Sequence, residues 1–154
     1  MTSADSNFGK QLLREGDVLD FYLRNLVKLQ DQQDYFILED PSGHKHFIEA
    51  GIYNGYGLEV GCKVECRVDR INCTGRIFLE PRHPFYTAGK YYDFPIIDLQ
   101  YLAEKTVVQL EDVFLNRLEI EVFRKLNQQD LEGKQLRCKV IKIKKGKPEV
   151  EIAE

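Results

Sequence analysis

Tyr35, Lys45, His46, Arg76 and Phe78 fall in short stretches where apolar and polar residues alternate. Side chains of an extended strand point to opposite faces in turn, so placing Phe36 and Leu38 inward sends Tyr35 and Ile37 outward. By the same alternation, Ile77 and Leu79 inward leave Arg76 and Phe78 outward. His46, set between Lys45 and Phe47 and close to His44, is expected on that exposed face as well. Two aromatic rings beside a guanidinium, an ammonium and an imidazole make a surface on which nucleic-acid bases stack and phosphates pair. A register shifted by one residue would instead bury Tyr35 and Phe78, because short strands fix their register weakly.

The second half offers charge in place of rings. Residues 124–147 hold nine lysines and arginines against Asp130 and Glu132, in a chain of net charge −3. On a strand over 135–143, Arg137 and Lys139 alternate with Leu136, Cys138 and Val140 and so share a solvent face. Lys142 has the opposite parity and joins that face only if the strand bulges near Ile141. Such a stripe tracks a phosphate backbone in a salt-sensitive way. Equally, lysines on an outer strand protect a sheet edge from unwanted pairing.

Two small units must position these side chains, because the chain states one pattern twice. Gly16-Asp17-Val18-Leu19-Asp20-Phe21 returns as Gly89-Lys90-Tyr91-Tyr92-Asp93-Phe94, 73 residues on (89 − 16). Gly61, Val64, Cys66, Val68 and Ile71 return as Gly133, Leu136, Cys138, Val140 and Ile143, with Cys138 72 residues after Cys66 (138 − 66). Glu39-Asp40 answers to Glu111-Asp112. A unit of that length is a small domain rather than a solenoid repeat.

Within each unit the apolar period is two, and turn residues punctuate it. Strands are expected over 18–29, 35–39, 44–49, 63–71 and 76–80, then over 91–102, 106–112, 117–122, 135–143 and 149–152. A short helix or turn is expected at 53–58 and a better helix, free of glycine, at 124–131. Five strands with a helical piece between the third and fourth is the order of an OB-fold barrel. The expected fold class is all-β: two tandem five-stranded OB-fold barrels with a short helix in each. A polar tail occupies 1–12, barrel one 13–80, a proline-bounded linker 81–88 and barrel two 89–154. A generic β domain, or one larger barrel spanning both halves, is the competing arrangement. The linker aromatics Phe85 and Tyr86 are expected to bury against a neighbouring unit.

No run approaches the roughly 18 apolar residues of a membrane helix, and the polar start lacks the apolar core of a signal peptide. A soluble, cytoplasmic monomer is expected. Four cysteines without an export signal point to free thiols in a reducing compartment. As zinc ligands Cys62, Cys66, Cys73 and Cys138 are poorly spaced, since Cys62 and Cys66 on one strand would lie about 13 Å apart. No metal or other cofactor is expected. Neither a nucleophile elbow nor a phosphate loop is present, and His44, His46 and His83 lack metal-site spacing, so the chain reads as a non-enzyme.

The stretch Gly43-His44-Lys45-His46-Phe47-Ile48-Glu49 carries a glycine, a histidine, an apolar residue and an acid in a recognisable order. Further on come Gly61, Val64, Val68, Ile71 and Arg76. Over residues 16–80 this resembles the RNA-binding OB domains named after ribosomal protein S-one. The chain departs from the family at His44 and Lys45, where the family is apolar, at Ile48, where it has serine, and at Asn72, where it has aspartate. The resemblance implies a strand of nucleic acid lying across the second and third strands, contacting Tyr35, His46 and Arg76. The second half lacks an aromatic at Val107-Val108-Gln109, and Glu119 falls near the place of His46.

The expectation is a non-catalytic, single-stranded nucleic-acid-binding protein, RNA ahead of DNA, which stacks bases on barrel one and contacts phosphate with barrel two. The alternative is a protein-interaction or scaffold module, because a fold does not fix a function; the sequence pI of about 5.7 favours it.

Overall fold

The computed structural model describes residues 13–123 and 134–153. The helix expected at 124–131 and the tail at 1–12 lie outside them. The chain divides into two compact units, one ending at Arg82 and the other beginning at His83.

In the first unit β1 (Val18–Lys28), β2 (Asp34–Glu39), β3 (Lys45–Glu49), β4 (Lys63–Ile71) and β5 (Ile77–Pro81) form one antiparallel sheet in the order β3-β2-β1-β4-β5. In the second, β6 (Tyr91–Tyr101), β7 (Thr106–Glu111), β8 (Arg117–Val122), β9 (Gln135–Lys144) and β10 (Lys147–Ile152) repeat it as β10-β9-β6-β7-β8. The outer strands of each sheet, β3 with β5 and β8 with β10, also approach one another. That curls each sheet into a five-stranded barrel with the strand circuit of an OB-fold.

Each barrel is filled by the alternate residues of its strands. Phe21, Leu23, Phe36, Leu38, Val64, Cys66 and Val68 pack the first, and Phe94, Val108, Leu110, Leu136, Cys138 and Val140 the second. Burial pushes the Cys66 thiol well up and that of Cys138 up to about 12, so both stay protonated and act as small core residues. Cys62 and Cys73 are exposed.

The irregularities repeat as faithfully as the core. β1 bulges against β2 between Leu23 and Asn25, and β6 bulges against β7 between Ile96 and Asp98. β4 bulges against β5 between Val68 and Arg70, and β9 against β10 opposite Glu149/Val150, where Ile141 is the extra residue. A long first strand must bend to serve both sides of a small barrel, and an inserted residue supplies the bend.

Most strand ends fall within one residue of the sequence expectation, and the helical piece and the last strand depart further. A short 3-10 helix covers Ala50–Tyr56, ending at Gly57 with φ +72°, rather than 53–58. β10 starts at Lys147 because Lys145 (φ 50°) and Gly146 (φ 78°) make a two-residue turn with positive φ at both positions, the geometry that suits hairpin twist. Pro148 masked this start in the sequence, although proline is tolerated on an outer strand.

Candidate nucleic-acid interface

Tyr35, Lys45, His46 and Arg76 come together around one open groove of ≈ 580 Å³ in the first unit. β2 pairs with β3 so that Tyr35 stands opposite Glu49, Ile37 opposite Phe47 and Glu39 opposite Lys45. Residues opposite one another share a face, which places Tyr35, Phe47 and Lys45 on the outer side of the sheet. The Tyr35 and Phe47 rings meet at 6.4 Å with a 58° tilt. Tyr35 donates its hydroxyl to Oδ2 of Asp31 at 2.6 Å, which pins the ring at its outer end. That bond raises the tyrosine pKa and lowers the aspartate's. Phe47 also lines the groove and was missing from the sequence-derived set; its signal was its parity with Lys45 and its opposition to Ile48.

His46 is not on the outer face. It stands opposite Leu38, its side chain is 10% exposed, and its ring meets Phe21 edge-on at 5.8 Å. Strand alternation forces this once Ile48 is in the core. Nε2 of His46 lies 2.9 Å from Oδ2 of Asp40, a bond that needs the proton on Nε2. Oδ1 of the same carboxylate accepts N–H bonds from Ser42 and His44, both at 2.9 Å, and the Ser42 hydroxyl at 2.8 Å. Burial alone would raise the Asp40 pKa, but these bonds bring it below its ordinary value. His46 therefore fastens the β2–β3 turn through Asp40 while still bordering the groove.

Phe78 lies outside the groove lining, tied to it through Arg76. The Arg76 guanidinium sits 4.8 Å from the Phe78 ring centre and that of Arg70 sits 4.3 Å away. Both are exposed. Arg70 reaches this face only because of the bulge: Val64, Cys66 and Val68 point inward, and the extra residue Asp69 resets the parity so that Ile71 packs inward and Arg70 outward.

In the second unit the same device acts on Lys142. Val140 is buried, Ile141 and Lys142 are exposed, and Ile143 is buried, so Lys142 joins Arg137 and Lys139 on the outer side of β9. Each of the three has an acid across the ladder. Arg137 pairs with Asp93 at 3.4 Å, Lys139 stands opposite Glu151, and Lys142 stands opposite Glu149. Of the basic residues counted in the sequence, Arg124 and Lys125 lie outside the described residues. β7–β8 pairing puts Thr106 opposite Val122 and Gln109 opposite Glu119; Leu118, buried against the core, takes the place of His46, and Glu119 takes that of Phe47.

Residues 83–86 pack within the second unit. Nδ1 of His83 accepts N–H bonds from Phe85 and Tyr86 at 3.0 and 3.1 Å, and its ring lies 4.8 Å from Tyr86 and 5.2 Å from Phe114. Burial lowers its pKa against the opposing pull of Asp112, favouring the neutral ring.

Among the described residues no three metal-ligating side chains converge, and no helix is long and apolar enough to cross a membrane. No protein-family profile and no curated protein matches the chain. It is similar to a solved structure described as "Structural mimicry for functional antagonism", with 8% identity over 88% of each chain and a TM-score of 0.31. A second, described as "Molecular basis for abrogation of activation of pro-inflammatory cytokines", has 9% identity over 90% of this chain and 89% of the other, again with a TM-score of 0.31. Likeness at that level bears on neither function nor partners.

Proposed function

We propose that the protein binds single-stranded nucleic acid without catalysing a reaction, RNA ahead of DNA, with the first barrel as the principal site. The observation that carries this is the groove itself, where the tilted Tyr35–Phe47 pair, the Lys45 ammonium and the Arg76 guanidinium border one open cleft. Rings that offer a face to a base, next to cations that offer charge to its phosphate, are the two components of single-strand binding. The preference for RNA follows the S-one resemblance of the first half. The basic outer side of β9 adds phosphate contacts in a lesser role, because its charges are partly answered by Asp93, Glu149 and Glu151.

Fluorescence anisotropy with mixed-sequence RNA and DNA 12-mers, at two salt concentrations, tests the proposal. Binding should weaken steeply with salt; absence of binding at low salt would overturn it. The second reading, a protein-interaction module, is favoured by Phe85, 57% exposed, and Leu115, 73% exposed, on the second unit. An apolar partner held there would be nearly indifferent to salt.

A further inference from the structure

We infer that Arg70 and Arg76 together form a phosphodiester-binding clamp, and that Phe78 is its platform rather than a ring on which bases stack. The inference rests on the first unit binding single-stranded nucleic acid, and it names which atoms take the phosphate.

Three observations carry it. The first is charge left unanswered: Arg24, Arg67 and Arg82 each face a carboxylate, at 3.2, 2.8 and 3.9 Å, whereas among the described residues Arg70 and Arg76, like Arg14 elsewhere in the unit, face none within 4.0 Å. The second is their common seat. The Arg70 and Arg76 guanidinium carbons lie 4.3 and 4.8 Å from the one Phe78 ring centre, and a cation held over a ring is limited in its rotamers while its remaining N–H groups can serve an anion. The third is the comparison between the two barrels. Arg70 stands opposite Phe78 after one bulge, and Lys142 stands opposite Glu149 after its counterpart. The same backbone device thus sets a guanidinium opposite an aromatic ring in one unit and an ammonium opposite a carboxylate in the other. Bulges commonly re-aim a side chain at a functional site.

Continuity with the groove completes the geometry. Arg76 both lines the groove and covers Phe78, so a nucleotide stacked at Tyr35 and Phe47 would present its backbone to Arg76 and the next phosphate to Arg70. Two guanidiniums can each give a phosphate two N–H bonds, which a lysine cannot.

The test has two arms on the full chain. In the first, RNA 12-mer affinity is measured against salt for wild type, R70A, R70K and F78L. R70A should weaken binding about ten-fold, the loss of one charge-assisted contact, and lower the salt slope by about 0.7, one phosphate on a single strand. R70K should keep the slope and still bind more weakly, because it keeps the charge and loses the fork. F78L should weaken wild type but have no effect in the R70A/R76A background, since the ring acts through the guanidiniums; an equal loss in both backgrounds would show bases on Phe78 and overturn the platform role. In the second arm, the arginine Nε–H NMR signals are followed as inorganic pyrophosphate is added. Shifts of Arg70 and Arg76 without any RNA binding would uphold the anion clamp while the nucleic-acid proposal falls. RNA binding with an unchanged R70A slope and unmoved Nε–H signals would overturn the clamp alone, and silence in both arms would overturn both.

Discussion

Leu115 occupies in the second barrel the backbone conformation that Gly43 occupies in the first: φ is +66° at the leucine and +92° at the glycine, each in the turn that follows a buried aspartate. Asp40 and Asp112 make the same bonds there. Oδ1 of Asp112 accepts N–H bonds from Phe114 and Asn116 at 2.9 and 2.8 Å, as Oδ1 of Asp40 does from Ser42 and His44. A left-handed conformation costs an L-residue about 1–2 kcal/mol, and the largely exposed Leu115 has little packing to offset it. Leu115→Gly should therefore stabilise the second unit by about 0.5–1 kcal/mol after the extra unfolded-state freedom of glycine is counted. Gly43→Leu should destabilise the first, although a Cβ there meets nothing within 4 Å, because the strain lies in φ. Urea unfolding followed separately in the two units checks both signs.

Asp40 should make the first unit acid-sensitive. Its folded pKa lies below the ordinary 3.8, so its stabilisation is present above the unfolded value and is lost as pH falls through the lower folded one. Wild type should lose melting temperature below about pH 4 through this group, and Asp40→Ala should show a smaller acid loss. At neutral pH, Asp40→Ala should cost about 2–3 kcal/mol, because the Ser42 and His44 amides and the His46 ring lose a buried acceptor. Equal acid losses in the two proteins would remove Asp40 from this role.

Tyr35→Ala and Phe47→Ala should each weaken RNA binding about five-fold to a hundred-fold, the range for a base stacked on a ring. Both side chains are on the outer face, so the melting temperature should change little. Unfolding of Tyr35→Ala would mean that the ring supports the core.

Replacing Arg137, Lys139 and Lys142 together with alanine should weaken binding to all sequences alike. Three free phosphate contacts would flatten the salt slope by about 2. Because each charge has an acid across the ladder, the expected change is less than half of that. An unchanged slope would assign the stripe to cross-strand pairing and edge protection.

The ten strands were legible in the sequence because their cores alternate with period two and because the pattern is said twice: Phe21 and Phe94, Cys66 and Cys138, Asp40 and Asp112 announce each other. The outward placement of Tyr35, Arg76 and Phe78 followed from the same alternation, and so did the condition on Lys142, which the bulge at Ile141 meets. His46 was misplaced because its family resemblance outweighed its parity with Ile48. Arg70 was missed because strict alternation from Val64 to Val68 points it inward; only the inserted Asp69 turns it out, and whether a strand bulges depends on the partner strand and the curvature of the barrel, which no local pattern encodes. The acids that answer the β9 lysines were likewise visible as residues but not as neighbours. Strand pairing decides which charges stand opposite one another, and pairing is a property of the closed sheet.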